Sequence, residues 1–394
     1  MATDSPLDPI RFRTLVGTMI CQFGLGSVYT WSLFNAPLSH KLAEPVTKVA
    51  LTFGLLSLAL AIASSLSGKM QERFGVRRVA IGAGIGLGIG FLLTSMANNL
   101  VTLYLSAGLI IGVADGAGYL LTLSNCVRWF PERKGMASAL SLGCYGLGSL
   151  GFKFIDLALL SRLSLEGTFC ALAAIIMAMV LIGAIFLADA PAQSPSTTRG
   201  ASRKDYTLAE AVRKPQYWGL ALMFLTACMS GLYVIGVAKD IGERYAHLPI
   251  MVAANAVAVI AVANLLGRLV LGLLSDKLPR GRVISLALLC ALVGIAILLF
   301  VPLNATLFFA AVACIAFSFG GSITVYPALV SDFFGLSNLA RNYGLIYLGF
   351  GFGSVIGSIV SSVFGGFLTT FYMILALLVV SLLCSISVRS HSLA

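Results

Sequence analysis

An all-α membrane protein of twelve transmembrane helices, built as two six-helix halves, is the fold class that three observations predict. The chain of 394 residues is 59% hydrophobic and 10% charged, against roughly 25% charged in an ordinary soluble domain, and its mean hydropathy is +0.98. Twelve apolar runs recur along it, each about 20 residues or longer and so able to cross a bilayer. A single long polar stretch, 189–215, separates the sixth run from the seventh.

Span 1, about Thr14 to Ala36, follows Arg11 and Arg13. It exceeds the roughly 7–15 residues of a signal-peptide core and is expected to be retained. Spans 2 to 6 fall near 48–67, 79–97, 101–127, 136–160 and 167–188. Spans 7 to 12 fall near 216–238, 251–275, 283–302, 305–330, 343–366 and 368–388. The polar connection is rich in Ser, Pro and basic residues, which marks 1–190 as the first half, 191–215 as a linker and 216–394 as the second half. Near its end, Tyr206 to Lys214 is predicted to form a short surface helix with Thr207 as N-cap and Glu210 three residues on.

A net charge of +11 would suggest nucleic acid in a soluble chain, but in a membrane protein the placement of the cations matters more than their sum. With both termini and the linker in the cytoplasm, nineteen of the 26 Lys and Arg lie on that side; Lys41, Lys48, Arg162, Lys239 and Arg244 lie on the other. This bias predicts a multi-pass protein of the bacterial inner membrane with both ends inside, partnered by lipid and not by nucleic acid. The eight cysteines fall singly within or at the ends of apolar runs, and His40, His247 and His391 lie between runs or in the tail. Neither set has metal-ligand spacing, so no metal, cofactor, disulfide framework or enzymatic activity is expected, and the chain reads as a monomer.

The halves repeat. The text from Gly68 to Arg78 after span 2 has a counterpart from Gly272 to Arg280 after span 8, 204 residues on. Tyr145-Gly-Leu-Gly-Ser in span 5 likewise corresponds to Tyr347-Leu-Gly-Phe-Gly in span 11. Equivalent text after six helices implies a parallel repeat, with substrate at the interface of the halves.

Only Lys153 and Arg268 place cations within the spans. A cation well inside a membrane helix costs roughly 2.5–3.5 kcal/mol on insertion scales, so it is kept mainly where it faces protein or a wet cavity. Asn264, at i−4, shares the face of Arg268 and can brace its guanidinium, and the pair reads as an anion clamp. The alternative is an arginine that snorkels to the cytoplasmic edge, since Asp276 is only ~12 Å further along. Asp115 lies about 20 Å from Arg128 along span 4, close to mid-bilayer. It is the candidate proton carrier, its protonation set by what Arg268 holds; a permanent Asp115–Arg268 ion pair between the halves is the alternative. Lys153 and Asp156, at i and i+3, are expected to pair with each other. Tyr29, Tyr119, Tyr145, Tyr326 and Tyr347 can offer hydroxyls to a carboxylate while their rings size the cavity, or simply pack the core. Gly146-x-Gly148-x-x-Gly151 fits a dinucleotide fingerprint by letter, but it sits in an apolar helix with no strand before it. Close helix packing is the expected role there, for Gly349, Gly353 and Gly357, and for the alternating glycines from Gly82 to Gly90.

The loop after span 2 resembles the signature of the major facilitator superfamily, G-x-x-x-[DE]-[RK]-x-G-[RK]-[RK]. Gly68, Glu72, Arg73, Gly75, Arg77 and Arg78 fill it, the last pair shifted by one. The resemblance implies the major facilitator fold and a gating role for Gly68, Glu72 and Arg73, and for Asp276 and Lys277 in the repeated loop. A carboxylate and cations at a helix end can pair with a neighbouring helix end in one conformation and release it in another. Gln22 to Phe34, Trp129 to Gly135, and Asn264-x-x-x-Arg268 resemble the oxalate/formate antiporter family and its monocarboxylate-transporting relatives, which place a carboxylate-binding arginine where Arg268 stands. Ala114 to Cys126, Gly146 to Asp156, Met223 to Asp240 and Tyr343 to Phe352 are similar to an enterobacterial, pyruvate-transporting branch of that family. The oxalate carrier's second essential lysine, in span 11, has no counterpart between Tyr343 and Gly366, which argues against a dicarboxylate. The resemblance therefore implies a secondary transporter of a small monocarboxylate, pyruvate first, by proton symport with alternating access. Carboxylate exchange of the oxalate/formate kind is the first alternative. Proton-driven export of other small molecules is the second, although span 5 lacks the proline-containing glycine motif typical of exporters.

Overall fold

In lipid a backbone amide finds no water, so an apolar run must satisfy its hydrogen bonds within itself, and these runs form helices. The computed structural model describes residues 9–130, 134–190, 206–335, 339–364 and 366–391. Eleven helical stretches among them are long and apolar enough to cross a membrane. The first six spans are completed by α3 (Val46–Phe74), α4 (Val76–Ser95), a continuous helix made of α5 (Leu100–Leu103), a π-helical stretch (Tyr104–Ile111) and α6 (Gly112–Trp129), then α7 (Lys134–Arg162) and α8 (Leu165–Phe186). The last six are α10 (Pro215–Asp240) with its π-helical extension Ile241–Tyr245, α11 (Ile250–Lys277), α12 (Arg280–Phe300), α13 (Ala305–Phe334), α14 (Leu339–Phe364) and α15 (Phe367–His391).

Span 1 departs from the single continuous helix that its apolar length predicts. α1 (Pro9–Leu25) gives way to a 3₁₀ helix, Gly26–Leu33, and then to α2 (Asn35–Leu42). The change falls at Gly26, where a Cβ would meet the Tyr145 carbonyl: the backbone of span 1 lies directly on α7. The Thr30 hydroxyl stands 2.8 Å from the Ser27 carbonyl and 2.5 Å from Asp156 Oδ2, so polar contacts replace some of the helix's own.

The connection between spans 6 and 7 is anchored at both ends. Asp189 Oδ1 accepts from the Val76 amide at 2.9 Å and from Gln71 Nε2 at 3.2 Å, tying the chain to the loop between α3 and α4. On the far side the Tyr206 amide donates to the Phe334 carbonyl at 3.0 Å, and Asn342 Nδ2 donates to the Tyr206 carbonyl at 3.1 Å. The short helix expected there is α9 (Leu208–Ala211), with the capping box formed: the Thr207 amide donates to Glu210 Oε2 at 2.8 Å, and the Glu210 amide to Thr207 Oγ1 at 3.4 Å. Residues 191–205 and Pro131, Glu132 and Arg133 of the motif after span 4 lie outside the described residues.

Candidate functional site

Close packing of α11 on α13 sets the depth of the central arginine. A Cβ at Gly267 would fall on the Phe317 carbonyl, and one at Gly320 on the carbonyl of Asn264, so the two backbones touch. Arg268 is 4% exposed there and Asn264 2%. The four-residue spacing puts both on one face. Arg268 Nε donates to Asn264 Oδ1 at 2.8 Å, while Asn264 Nδ2 points to the Ala316 carbonyl at 3.5 Å. The guanidinium is braced on one edge and does not snorkel to the helix end. Its Nη1 is buried without a hydrogen-bond partner.

From the first six spans, Asp115 on α6 is fully buried. A Cβ at the next residue, Gly116, would fall on the Leu60 backbone, so α6 lies hard against α3 and holds the carboxyl in register. Tyr145 donates its hydroxyl to Asp115 Oδ2 at 3.1 Å, while Oδ1 has no partner. Among the described residues no ion pair joins Asp115 to Arg268, so the permanent pair between the halves is not formed in this conformation.

Aromatic rings fill the space around these two groups. Tyr145 meets Tyr29 edge-on at 5.1 Å and Tyr119 at 5.0 Å between ring centroids. Tyr29 and Tyr119 both stand within electrostatic reach of Arg268 and of Asp115. Tyr347 stacks on Phe350 at 5.3 Å, lies 5.7 Å from Tyr343, and faces Tyr119 across the helices. Its hydroxyl is buried and unpartnered. Tyr29 and Tyr119 thus stand near both Arg268 and Asp115, Tyr145 holds Asp115, and Tyr347 adjoins Tyr119 and Tyr29. Tyr326 joins the same aromatic wall, 4.6 Å from Phe224, but its hydroxyl is engaged by the Leu220 carbonyl at 2.8 Å, so its contact is through the ring. Phe224 and Tyr343, which complete this wall, do not stand out by residue type in the sequence. Phe224 and Tyr343 lie inside stretches that resemble the carboxylate carriers, which was the only available signal.

Lys153 and Asp156 do not pair, contrary to expectation. Lys153 Nζ donates to Asn255 Oδ1 of α11 at 2.8 Å and lies 4.4 Å from the Phe154 ring, whereas Asp156 takes Thr30 of span 1. Each finds a better partner on a helix packed against its own face than at i±3. Lys153 to Asn255 is one of the described hydrogen bonds joining the first six spans to the last six. Asn35 makes two more, its Nδ2 donating to the Gly236 carbonyl and to Asp240 Oδ2, both at 2.8 Å. These contacts lie toward the membrane face that carries Asn35. Asp240 is fully buried and its Oδ1 has no partner.

At the opposite membrane face the signature loop turns at Gly75, whose φ of +78° suits glycine. A Cβ there would also press on Asp189 Oδ2 at 2.9 Å. Arg77 donates through Nε and Nη2 to the Leu187 carbonyl at 3.1 and 3.0 Å. Gly68 lies within α3, and Glu72 and Arg73 are exposed near its end. Asp276 and Lys277 are likewise exposed at the end of α11. Near that end, Arg280 Nη1 donates to both oxygens of Asp332 at 2.8 and 2.7 Å.

The sequence model of the Major Facilitator Superfamily matches residues 15–328 and 236–392. YhjX of Escherichia coli (strain K12), described as an uncharacterized MFS-type transporter, is 64% identical over 353 residues, which are 90% of this chain and 88% of that one. The oxalate:formate antiporter of Oxalobacter formigenes is 27% identical over 90% of this chain and 85% of its own. The apicoplast pyruvate carrier 1 of Toxoplasma gondii is 26% identical, over 82% and 70% respectively. Among solved structures, a mutant of the nucleoside transporter NupG shares the fold, with a TM-score of 0.70 at 11% identity over 96% of this chain and 99% of that one.

Proposed function

Because this chain belongs to the Major Facilitator Superfamily and is a multi-pass membrane transporter, not an enzyme, we propose that it carries a small monocarboxylate, pyruvate first, together with a proton across the bacterial inner membrane. One observation carries the reading. Among the described residues, the buried polar groups without a hydrogen-bond partner include Arg268 Nη1, Asp115 Oδ1 and the Tyr347 hydroxyl, all in this aromatic-walled region. A cation, an acid and a hydroxyl left open together at membrane depth suit a small anion and a proton. A carboxylate can take the free edge of the guanidinium while the tyrosines close around a three-carbon acid. Relatives described as an oxalate:formate antiporter and a pyruvate carrier support the cargo class.

Charge balance supports the proton. With Asp115 ionised beside Arg268 the centre is near neutral, so an incoming anion leaves one negative charge to offset. Moving an uncompensated charge costs about 2.3 kcal/mol per 100 mV, and a proton on Asp115 restores neutrality. Uptake of labelled pyruvate by the purified protein in proteoliposomes tests the reading. Accumulation driven by an inward proton gradient is expected. Exchange with preloaded carboxylate and no response to the gradient would instead favour antiport, the second reading, which the oxalate:formate relative supports.

With the termini in the cytoplasm, the face joined by Asn35 and Lys153 is the outer one, and it is closed in this conformation. Asn35→Ala leaves Asp240 buried with no hydrogen-bond donor, a cost of about 1–3 kcal/mol that falls on the closed gate. The outward-open fraction is therefore expected to rise roughly 5–150-fold. Spin-label distances across the outer ends of the spans read that shift. An unchanged distribution removes Asn35 as a latch.

The two signature loops act on the opposite gate. Glu72 and Asp276 are exposed here and are assigned to the conformation in which the inner ends meet. Glu72→Gln and Asp276→Asn are expected to slow transport while keeping equilibrium affinity within about threefold, because only the balance of states is biased. Titration of pyruvate against the purified variants, beside their transport rates, separates the two effects.

A further inference from the structure

The alternating glycines of α4 do not share one role. Gly84 and Gly88 pack tightly, a Cβ meeting Val180 at 3.1 Å and Met177 at 2.7 Å. A Cβ at Gly82 would meet nothing within 4 Å, and one at Gly86 only Ala114 at 3.0 Å. Arg78, Gly82 and Gly86 recur every four residues and so lie along one face of α4, spanning about 12 Å. That face forms one wall of an open groove of about 660 Å³. Its rim carries the exposed side chains Phe74, Leu109 and Val113, and its floor includes Ala114 and Ala117. The lining is apolar except at one end, where Arg78 is exposed and, among the described residues, makes no hydrogen bond or ion pair. Arg77 beside it is engaged by Leu187.

We propose that this groove binds an anionic phospholipid of the surrounding bilayer, its phosphate on Arg78 and one acyl chain laid along Gly82 and Gly86. The groove opens between membrane-spanning helices, where water lacks polar partners and hydrocarbon fills a hollow. One free cation followed by an apolar trough matches the order of groups in a phospholipid, charged head then chain. Arginine suits the head because its fork matches phosphate oxygens. The seated chain lies against Leu109 in the π-helical stretch and against Ala114, the residue before Asp115. π-Helical turns of this kind recur at functional sites. The lipid therefore braces α4 against the helix that carries the buried acid.

The test uses the full chain purified in mixed micelles of phosphatidylglycerol and phosphatidylcholine, with retained lipid read by native mass spectrometry. The wild type is expected to retain phosphatidylglycerol in preference to phosphatidylcholine, and inorganic phosphate is expected not to displace it. Arg78→Gln removes the cation and is expected to cut retention about fivefold, the equivalent of one basic contact with an anionic lipid. Gly82→Leu fills the trough in open space and is expected to cut retention comparably. A phosphatidylglycerol with a photoreactive acyl chain should label the wild type within 82–86 and 109–113, which decides the matter even where a variant folds poorly. Equal retention of the two lipids, wild-type retention by both variants, displacement by phosphate alone, or labelling spread evenly over the lipid-facing helices would each overturn the proposal. Lipid retention is read without transport, so it stands or falls separately from the cargo.

Discussion

Arg268→Lys is expected to leave the protein folded and to weaken pyruvate binding by about 1.5–3 kcal/mol, roughly 10–150-fold. The site explains why a retained charge is not enough. Asn264 holds Nε and leaves Nη1 buried without a hydrogen-bond partner, so the guanidinium keeps a donor open for a carboxylate. An ammonium in the same place is a point charge without the guanidinium's planar geometry, and Asn264 Oδ1 competes for its protons. Lys153→Gln is the control. A glutamine can still donate to Asn255 of α11, and affinity is expected to stay within about threefold, since the contact lies away from the clamp. Isothermal titration of both variants with pyruvate gives the comparison. Near-normal affinity in Arg268→Lys removes the clamp from the mechanism.

The second large effect concerns Asp115. Asparagine mimics the protonated, neutral acid in nearly the same volume, and its amide oxygen can still accept the Tyr145 hydroxyl. The loaded carrier should therefore cross the membrane. The empty carrier would then carry Arg268 without a counter-charge and should return poorly. Asp115→Asn is expected to retain pyruvate:pyruvate counterflow while losing accumulation driven by an inward proton gradient. Survival of gradient-driven accumulation would exclude Asp115 as the coupling site. Loss of both activities together with misfolding would assign it a structural role instead.

Several features were legible in the sequence because they depend on spacing along one helix. The Arg268–Asn264 contact needs only i, i−4, and the Thr207–Glu210 capping box only three residues. Apolar run length located the spans, since a bilayer sets a minimum length. It could not show that span 1 breaks at Gly26, because hydropathy does not distinguish 3₁₀ from α hydrogen bonding. The partners of the other polar residues were hidden for a related reason. Thr30 meets Asp156 and Asn35 meets Asp240 from 126 and 205 residues away, and no periodicity encodes those pairings. Lys153 and Asp156 misled because i, i+3 proximity is permissive, and tertiary neighbours offered each a better contact. Asp189 looked like the start of a polar linker, yet its carboxylate closes the Gly75 turn.

The interruption of span 1 also leaves a stretch whose stability rests on its neighbours more than on its own backbone. Bonds of the i→i+3 kind have poorer geometry than those of an α-helix, so Gly26–Leu33 gains less from its own backbone and relies on its surroundings. In this conformation those surroundings are complete, with every residue of the segment buried. Lying inside span 1 and not at a terminus, its amides are expected to exchange through opening of the surrounding helices and not through fraying of an end. If the proposed gate operates, deuterium protection of this segment is expected to lengthen with the time the carrier spends closed on that side.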